Sequence, residues 1–173
     1  MEKCCVCGGE VKAIKDKPYK YDECGLNVVL YEISRYECST CGEKYASIPD
    51  INGLHRLIGT IACKNRKAIL KPQEIIFLRK NLRYKARELS RILGVDPATV
   101  SRWENGKQDI SDTHDRLLRL LYLSQYPKES CKIIELLKEL PAKRKKIERP
   151  GEITLNPQEW LARSNEDSCL QYA

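Results

Sequence analysis

Ala86-Arg87-Glu88-Leu89-Ser90-Arg91-Ile92-Leu93-Gly94-Val95-Asp96-Pro97-Ala98-Thr99-Val100-Ser101-Arg102-Trp103-Glu104-Asn105-Gly106 reads as two short helices joined by a tight turn. Ala86, Leu89 and Leu93 fall at the i, i+3, i+7 spacing of one helix face. Gly94 ends that helix, because a left-handed residue after a helix costs glycine nothing. Asp96 is placed to cap the second helix by accepting from its free N–H groups. Pro97 follows at the first helical position, where a missing donor does no harm. Val100 and Trp103 share the inward face, which leaves Ala98, Thr99 and Arg102 on the outside. Gly106 closes the unit.

The outer face carries what a DNA major groove requires. Arg102 can donate two parallel hydrogen bonds to O6 and N7 of guanine, and Thr99 can bond a base edge or pack on a thymine methyl. Arg83, Lys85, Arg87, Arg91 and Lys107 surround the pair of helices. Phosphate contacts fix position while base contacts choose sequence. Lys85, Asn105 and Lys107 are assigned to the phosphates. An ordinary helical hairpin would share the glycine turn, but not the Asp-Pro start, the Ser101-to-Gly106 ending and the basic flanks together. The stretch resembles the Xre/phage-repressor type of helix-turn-helix, in which a four- or five-helix domain presents the second helix of the motif to DNA. That resemblance implies base-facing positions for Pro97, Ala98, Thr99 and Arg102 and a phosphate contact for Asn105. It also implies that Arg79, one helix earlier, pairs with Glu104 inside the domain.

Length and charge fit this reading. The chain has 173 residues, enough for one ordinary domain or two small ones, and a formal charge of +7 that suits a polyanionic partner. No apolar run approaches the roughly 20 residues needed to cross a bilayer. The opening Met-Glu-Lys-Cys-Cys lacks the pattern of a signal peptide. Nine cysteines without an export signal point to metal binding in a reducing cytoplasm rather than to disulfides. The expected location is a prokaryotic cytoplasm, at the nucleoid when DNA is bound.

Cys4-Cys5-Val6-Cys7-Gly8-Gly9 and Cys38-Ser39-Thr40-Cys41-Gly42 are two C-x-x-C-G knuckles. Two such turns facing each other deliver the four thiolates of a tetrahedral zinc site through Cys4, Cys7, Cys38 and Cys41. Cys5 competes with Cys4 as ligand, although only Cys4 has the two-residue gap to Cys7. The glycines let the backbone curl so that N–H groups point at sulfur. Four thiolates and one Zn²⁺ together carry −2, which takes the formal +7 to about +5. A closed four-sulfur site leaves no position for water, so one structural rather than catalytic zinc is expected. Cys24, Cys63, Cys131 and Cys169 have no partner at metal spacing.

Around these motifs an α+β organisation emerges. Residues 1–48 form a small antiparallel sheet of two or three strands stapled by zinc, drawn from Tyr19, Tyr21, Val28, Leu30, Ile33 and Tyr36. Residues 49–70 are a connector with a short helix starting at Pro49 and carrying Leu54, Leu57, Ile58 and Ile61, with His55 as a surface residue beside that stripe. Residues 71–140 are the all-α helix-turn-helix domain. Pro72 begins its first helix, Asp112 a later one with Leu117, Leu118, Leu120 and Leu121, and an amphipathic helix follows over 128–140. A one-helix reader makes few base contacts, and a homodimer through residues 117–140 on a palindromic operator is the usual remedy. Residues 141–173 open with Pro-Ala-Lys-Arg-Lys-Lys and read as a basic, flexible or weakly docked tail, with a helical turn around a buried Trp160.

Taken in order, the two modules resemble the MqsA/YgiT-type family of antitoxin-like proteins over about residues 1–126. The resemblance rests on the four cysteines, the glycines after them, and Val100-Ser101-Arg102-Trp103-Glu104-Asn105-Gly106. It implies a metal domain that engages a small ribonuclease toxin and a helical domain that dimerises and represses its own operon. Members read bases with an asparagine and an arginine. Arg102 matches the arginine, but Ala98 stands where the asparagine would be, so operator sequence does not carry over. The alternative is a toxin-independent Xre-family regulator from a phage or mobile element, with a zinc domain that is structural or binds another protein. No Gly-rich phosphate loop, nucleophile triad or carboxylate pair points to an enzyme.

Overall fold

The computed structural model describes residues 3–14, 18–65, 68–126, 138, 140 and 152–161. The chain divides into two compact units. Met1–Glu23, Asn27–Leu54 and Gly151–Ala173 form one; Cys24–Leu26 and His55–Pro150 form the other.

The first unit, the metal lobe, holds two three-stranded sheets rather than the one small sheet expected. Strands β1 (Val11–Ile14), β4 (Ser34–Cys38) and β5 (Lys44–Ser47) pair antiparallel in the order β1-β4-β5, with Val11 opposite Cys38 and Ser34 opposite Ser47. Strands β2 (Tyr19–Lys20) and β3 (Val28–Leu30) form an antiparallel ribbon, and β6 (Ile153–Leu155) pairs parallel with β3 on its other side. Part of the segment expected as a tail is therefore a strand of this lobe. Its hydrogen bonds come from Ile153 N–H to the Asn27 carbonyl at 3.0 Å and from Tyr31 N–H to the Leu155 carbonyl at 2.9 Å. A helical turn over 157–161 follows, and its Trp160 is buried, as the sequence suggested. Val28, Leu30, Ile33, Leu155 and Trp160 form the apolar centre of this second sheet's region.

The helical unit takes most of α1 (Ile51–Lys64) with α2 (Pro72–Asn81), α3 (Ala86–Leu93), α4 (Pro97–Glu104) and α5 (Asp112–Leu123). Helix α1 begins after Asp50 rather than at Pro49: the Asp50 carboxylate accepts from Gly53 N–H at 3.0 Å, and its carbonyl from Leu54 N–H. Leu57, Ile58, Ile75, Leu78, Leu89, Val100, Leu118 and Leu123 are buried, a stripe from each helix at the expected spacing. His55 is half-buried rather than on the surface, edge-on to Phe77, and burial lowers its pKa. Of the leucines expected on α5, Leu118 is buried and Leu117 exposed.

The inward face of α5 carries two charges the sequence reading passed over. Asp115 and Arg119 are both buried and paired, Nε to Oδ2 at 2.8 Å. Arg119 also donates to the carbonyls of Ala62, Cys63 and Asn65 at the end of α1 and of Ala68 beyond it. Asp115 accepts from Leu70 N–H at 2.7 Å. A guanidinium thus satisfies carbonyls that a helix C-terminus leaves without partners, at the end where the helix dipole favours positive charge. The helix expected over 128–140 lies outside the described residues apart from 138 and 140. Leu140 is buried and its carbonyl accepts from Arg116 Nη2 at 2.9 Å.

Candidate metal centre and nucleic-acid interface

The two knuckles are built alike. Cys4 N–H bonds the Gly9 carbonyl and Gly8 N–H the Cys4 carbonyl, just as Cys38 N–H bonds Glu43 and Gly42 N–H bonds Cys38. Gly8 and Gly42 sit at φ 72° and 73°, the left-handed turn that closes each loop. Val6 N–H and Thr40 N–H then reach the first sulfur of their knuckle, and Gly9 N–H the Cys7 sulfur, each at 3.4 Å. The β1–β4 register sets Cys38 beside Val11 and brings the knuckles face to face.

The four sulfurs of Cys4, Cys7, Cys38 and Cys41 lie within 4.8 Å of one another. Cys4 and Cys41 are 3.7 Å apart, and Cys7 and Cys38 3.5 Å. A tetrahedron with zinc–sulfur bonds of 2.3 Å has edges of about 3.8 Å, so the cluster has the size of a zinc site. Cys5 is exposed and outside the cluster, which decides the ambiguity in favour of Cys4. The N–H groups of Cys41 and Thr40 pull the Cys38 thiol down to about 6. Glu43 N–H also favours thiolate at Cys41, but hydrogen bonding to Cys7, burial and the other two sulfurs push that thiol up to about 12. Thiolates this close repel one another and cannot ionise independently, and a divalent cation relieves that repulsion by displacing the thiol protons.

In the helical unit, α3 ends at Gly94, φ 68°, with Val95 N–H bonded to the Ser90 carbonyl at 2.9 Å. Asp96 Oδ1 accepts from Ala98 N–H at 2.7 Å and so caps α4, with Pro97 at its first position. Val100 and Trp103 are buried. Pro97, Ala98 and Arg102 are exposed and Thr99 partly so; Lys85, Asn105 and Lys107 are exposed around them. The Asn105 side chain caps α4 locally, Nδ2 donating to the Ser101 carbonyl at 2.8 Å and lying 3.3 Å from its hydroxyl. A phosphate contact from this amide would have to share those donors. Arg79 forms the pairing with Glu104 that the resemblance implied, Nη2 to Oε2 at 3.1 Å, and donates through Nη1 to the Tyr84 carbonyl at 3.0 Å. One side chain thereby ties the ends of α2 and α4 to the turn between α2 and α3.

A family model described as the antitoxin component of a bacterial toxin-antitoxin system, MqsA, matches residues 1–140. The chain belongs to the MqsA antitoxin family. Antitoxin MqsA of Escherichia coli (strain K12) is 29% identical over 121 residues, covering 69% of this chain and 91% of that protein. The matched span contains all four clustered cysteines and the helix-turn-helix, and the four cysteines form the structural zinc site of this MqsA-family chain. Residues 141–173, with β6 and Trp160, lie beyond it. The buried Asp115–Arg119 pair was detectable in sequence: at i, i+4 it shares a helix face with Leu118 and Tyr122, where charge has no place without a partner. Among the described residues no helix is long and apolar enough to cross a membrane.

Proposed function

We propose that this antitoxin-family protein is a sequence-specific repressor of double-stranded DNA that autoregulates a toxin–antitoxin operon. The helical unit reads a palindromic operator as a homodimer, with α4 in the major groove. Arg102 and Thr99 address base edges, Pro97 and Ala98 approach the groove floor, and Lys85, Asn105 and Lys107 hold phosphates. The metal lobe binds a small ribonuclease toxin in the bacterial cytoplasm, and no step of catalysis is assigned to the chain. The observation that supports the reading best is the split of α4: Val100 and Trp103 are buried while Pro97, Ala98 and Arg102 are exposed beside basic residues on the flanks. Selection from a pool of duplex oligonucleotides at moderate ionic strength tests it. A palindromic consensus bound by two copies is the expected outcome; recovery of unenriched sequence rejects it.

The length beyond the matched span favours a second reading, a regulator of the same fold with no toxin. Co-purification with the product of a neighbouring short reading frame separates the two. A stable one-to-one complex supports the antitoxin role, and free protein supports the regulator.

A further inference from the structure

The four sulfurs of the metal centre are unevenly covered. Cys4 and Cys38, the first cysteine of each knuckle, are buried, whereas Cys7 and Cys41, the second of each, are exposed. Two ligands therefore face solvent, and a small oxidant reaches them without opening the lobe. Metal-bound cysteine is held as thiolate, the form that attacks peroxides. Short sulfur contacts pair an exposed ligand with a buried one across the knuckles: Cys7 lies 3.5 Å from Cys38, and Cys41 3.7 Å from Cys4. A sulfur oxidised on the open side thus has a thiolate of the opposite knuckle in reach. Closing either pair to a disulfide of about 2.05 Å takes a shift of less than about 2 Å.

The pairing decides what oxidation does to the fold. A disulfide inside one C-x-x-C knuckle would close a short loop and leave the two knuckles unlinked. Cys7 and Cys38 are 31 residues apart and Cys4 and Cys41 are 37 apart, so bonds between them join the same two loops that the cation joins. Cys5 is exposed but outside the cluster, and Cys63 is buried.

We propose that the metal lobe is a hydroperoxide-reactive thiol centre that exchanges its zinc for two disulfides across the knuckles, Cys7–Cys38 and Cys4–Cys41. Cys7 and Cys41 are the sites of attack, and Cys38 and Cys4 resolve them. In each half, the exposed thiolate attacks one oxygen of hydrogen peroxide. The S–O bond forms as the O–O bond breaks, leaving a sulfenic acid and hydroxide. The buried thiolate then attacks that sulfur, forming S–S, breaking S–O and releasing a second hydroxide. Each peroxide takes up the two electrons that one disulfide gives, solvent protons convert the hydroxides to water, and the chain, left without thiolates, frees Zn²⁺. Neither DNA nor a toxin takes part in this chemistry.

The test treats the zinc-loaded full chain with hydrogen peroxide, follows freed zinc with a chromophoric chelator, alkylates the remaining thiols and digests with trypsin without reduction. Cleavage after Lys3, Lys12, Arg35 and Lys44 puts Cys4, Cys5 and Cys7 in one peptide and Cys38 and Cys41 in another. Zinc should be released in full at about two equivalents of peroxide per chain. The two peptides should be recovered as a single linked species with Cys5 alkylated, and fragmentation should place Cys4 with Cys41 and Cys7 with Cys38. Cys5→Ser should alter neither the release nor the link. The oxidised chain should also keep amide protection at Gly8 and Gly42 that a chelated chain loses. Any other pairing, a disulfide to Cys5, zinc retained through excess peroxide, or protection as low as in the chelated chain overturns the proposal.

Discussion

Arg119 spends its guanidinium entirely inside the protein. It pairs with Asp115 and donates to four backbone carbonyls, those of Ala62, Cys63, Asn65 and Ala68. Removing a single partner of a buried pair strands the other charge, so Arg119→Met should lower unfolding free energy by about 3–5 kcal/mol, read from urea melts. In a simple ion pair, removing both charges recovers most of that loss. Here it should not, because a carbonyl such as that of Cys63 loses the guanidinium as donor as well, and each one left unsatisfied costs about 1–3 kcal/mol. Asp115→Leu with Arg119→Met should therefore remain at least about 2 kcal/mol below wild type. Recovery to wild-type stability would mean that the pair alone mattered. Arg102 is the opposite case, exposed and bonded to nothing that shapes the fold through its side chain. Arg102→Ala should leave the melt unchanged and cost about 1–3 kcal/mol of operator binding, while binding to random duplex persists. Equal loss on both DNAs in an electrophoretic or anisotropy titration would make it a phosphate contact.

At the scale of elements, the starts of α2, α3 and the turn at 157–161 share one device, while α1 and α4 are capped by the aspartates before them. Glu74, Glu88 and Glu159 each reach back to the backbone N–H three residues earlier, at 2.6–2.7 Å, half of a capping box without the hydroxyl residue at its start. The end of α2 is less economical. Arg83 takes the left-handed position at φ 60°, with Tyr84 N–H bonded back to the Arg79 carbonyl, where glycine is the usual residue. Arg83→Gly should relieve a strain of about 1–2 kcal/mol and give back part of it through the freer unfolded chain, for a net gain of about 0.5 kcal/mol. A melting temperature raised by a few degrees is the expected result, and a lowered one would show that the side chain packs. The helix-turn-helix was legible in sequence because glycine, aspartate and proline punctuate it and two apolar stripes keep period. The zinc site was legible from four cysteine positions, although choosing Cys4 over Cys5 needed coordinates. Strands β1 and β5 were not legible, since four residues with exposed Lys12, Ala13 and Lys44 carry no alternation. Nor was β6, because a parallel strand more than 120 residues from its partner leaves no local trace beyond Ile153 and Leu155.

The whole molecule joins units held by different physics. The helical unit rests on interlocked apolar stripes and the Arg79 and Arg119 bonds. The knuckles of the metal lobe rest on thiolates around a cation: β1, β4 and β5 are four or five residues each, and of their side chains Cys38 is the buried one. A structural zinc supplies on the order of 10 kcal/mol in small domains, comparable to the entire stability of a domain at about 5–15 kcal/mol. Chelation should therefore erase amide protection at Cys4, Gly8, Cys38 and Gly42, whose N–H groups close the two loops. The β2-β3-β6 sheet has its own apolar centre around Leu30 and Trp160, so protection at Tyr31 and Ile153 should fall less. Protection at Leu89, Val100 and Leu118 should persist, and duplex binding should change by less than about threefold. Hydrogen exchange and a DNA titration on the same chelated sample check both halves. Loss of protection in α3 and α4 together with the knuckles would mean that the metal holds the DNA reader as well as the lobe that carries it.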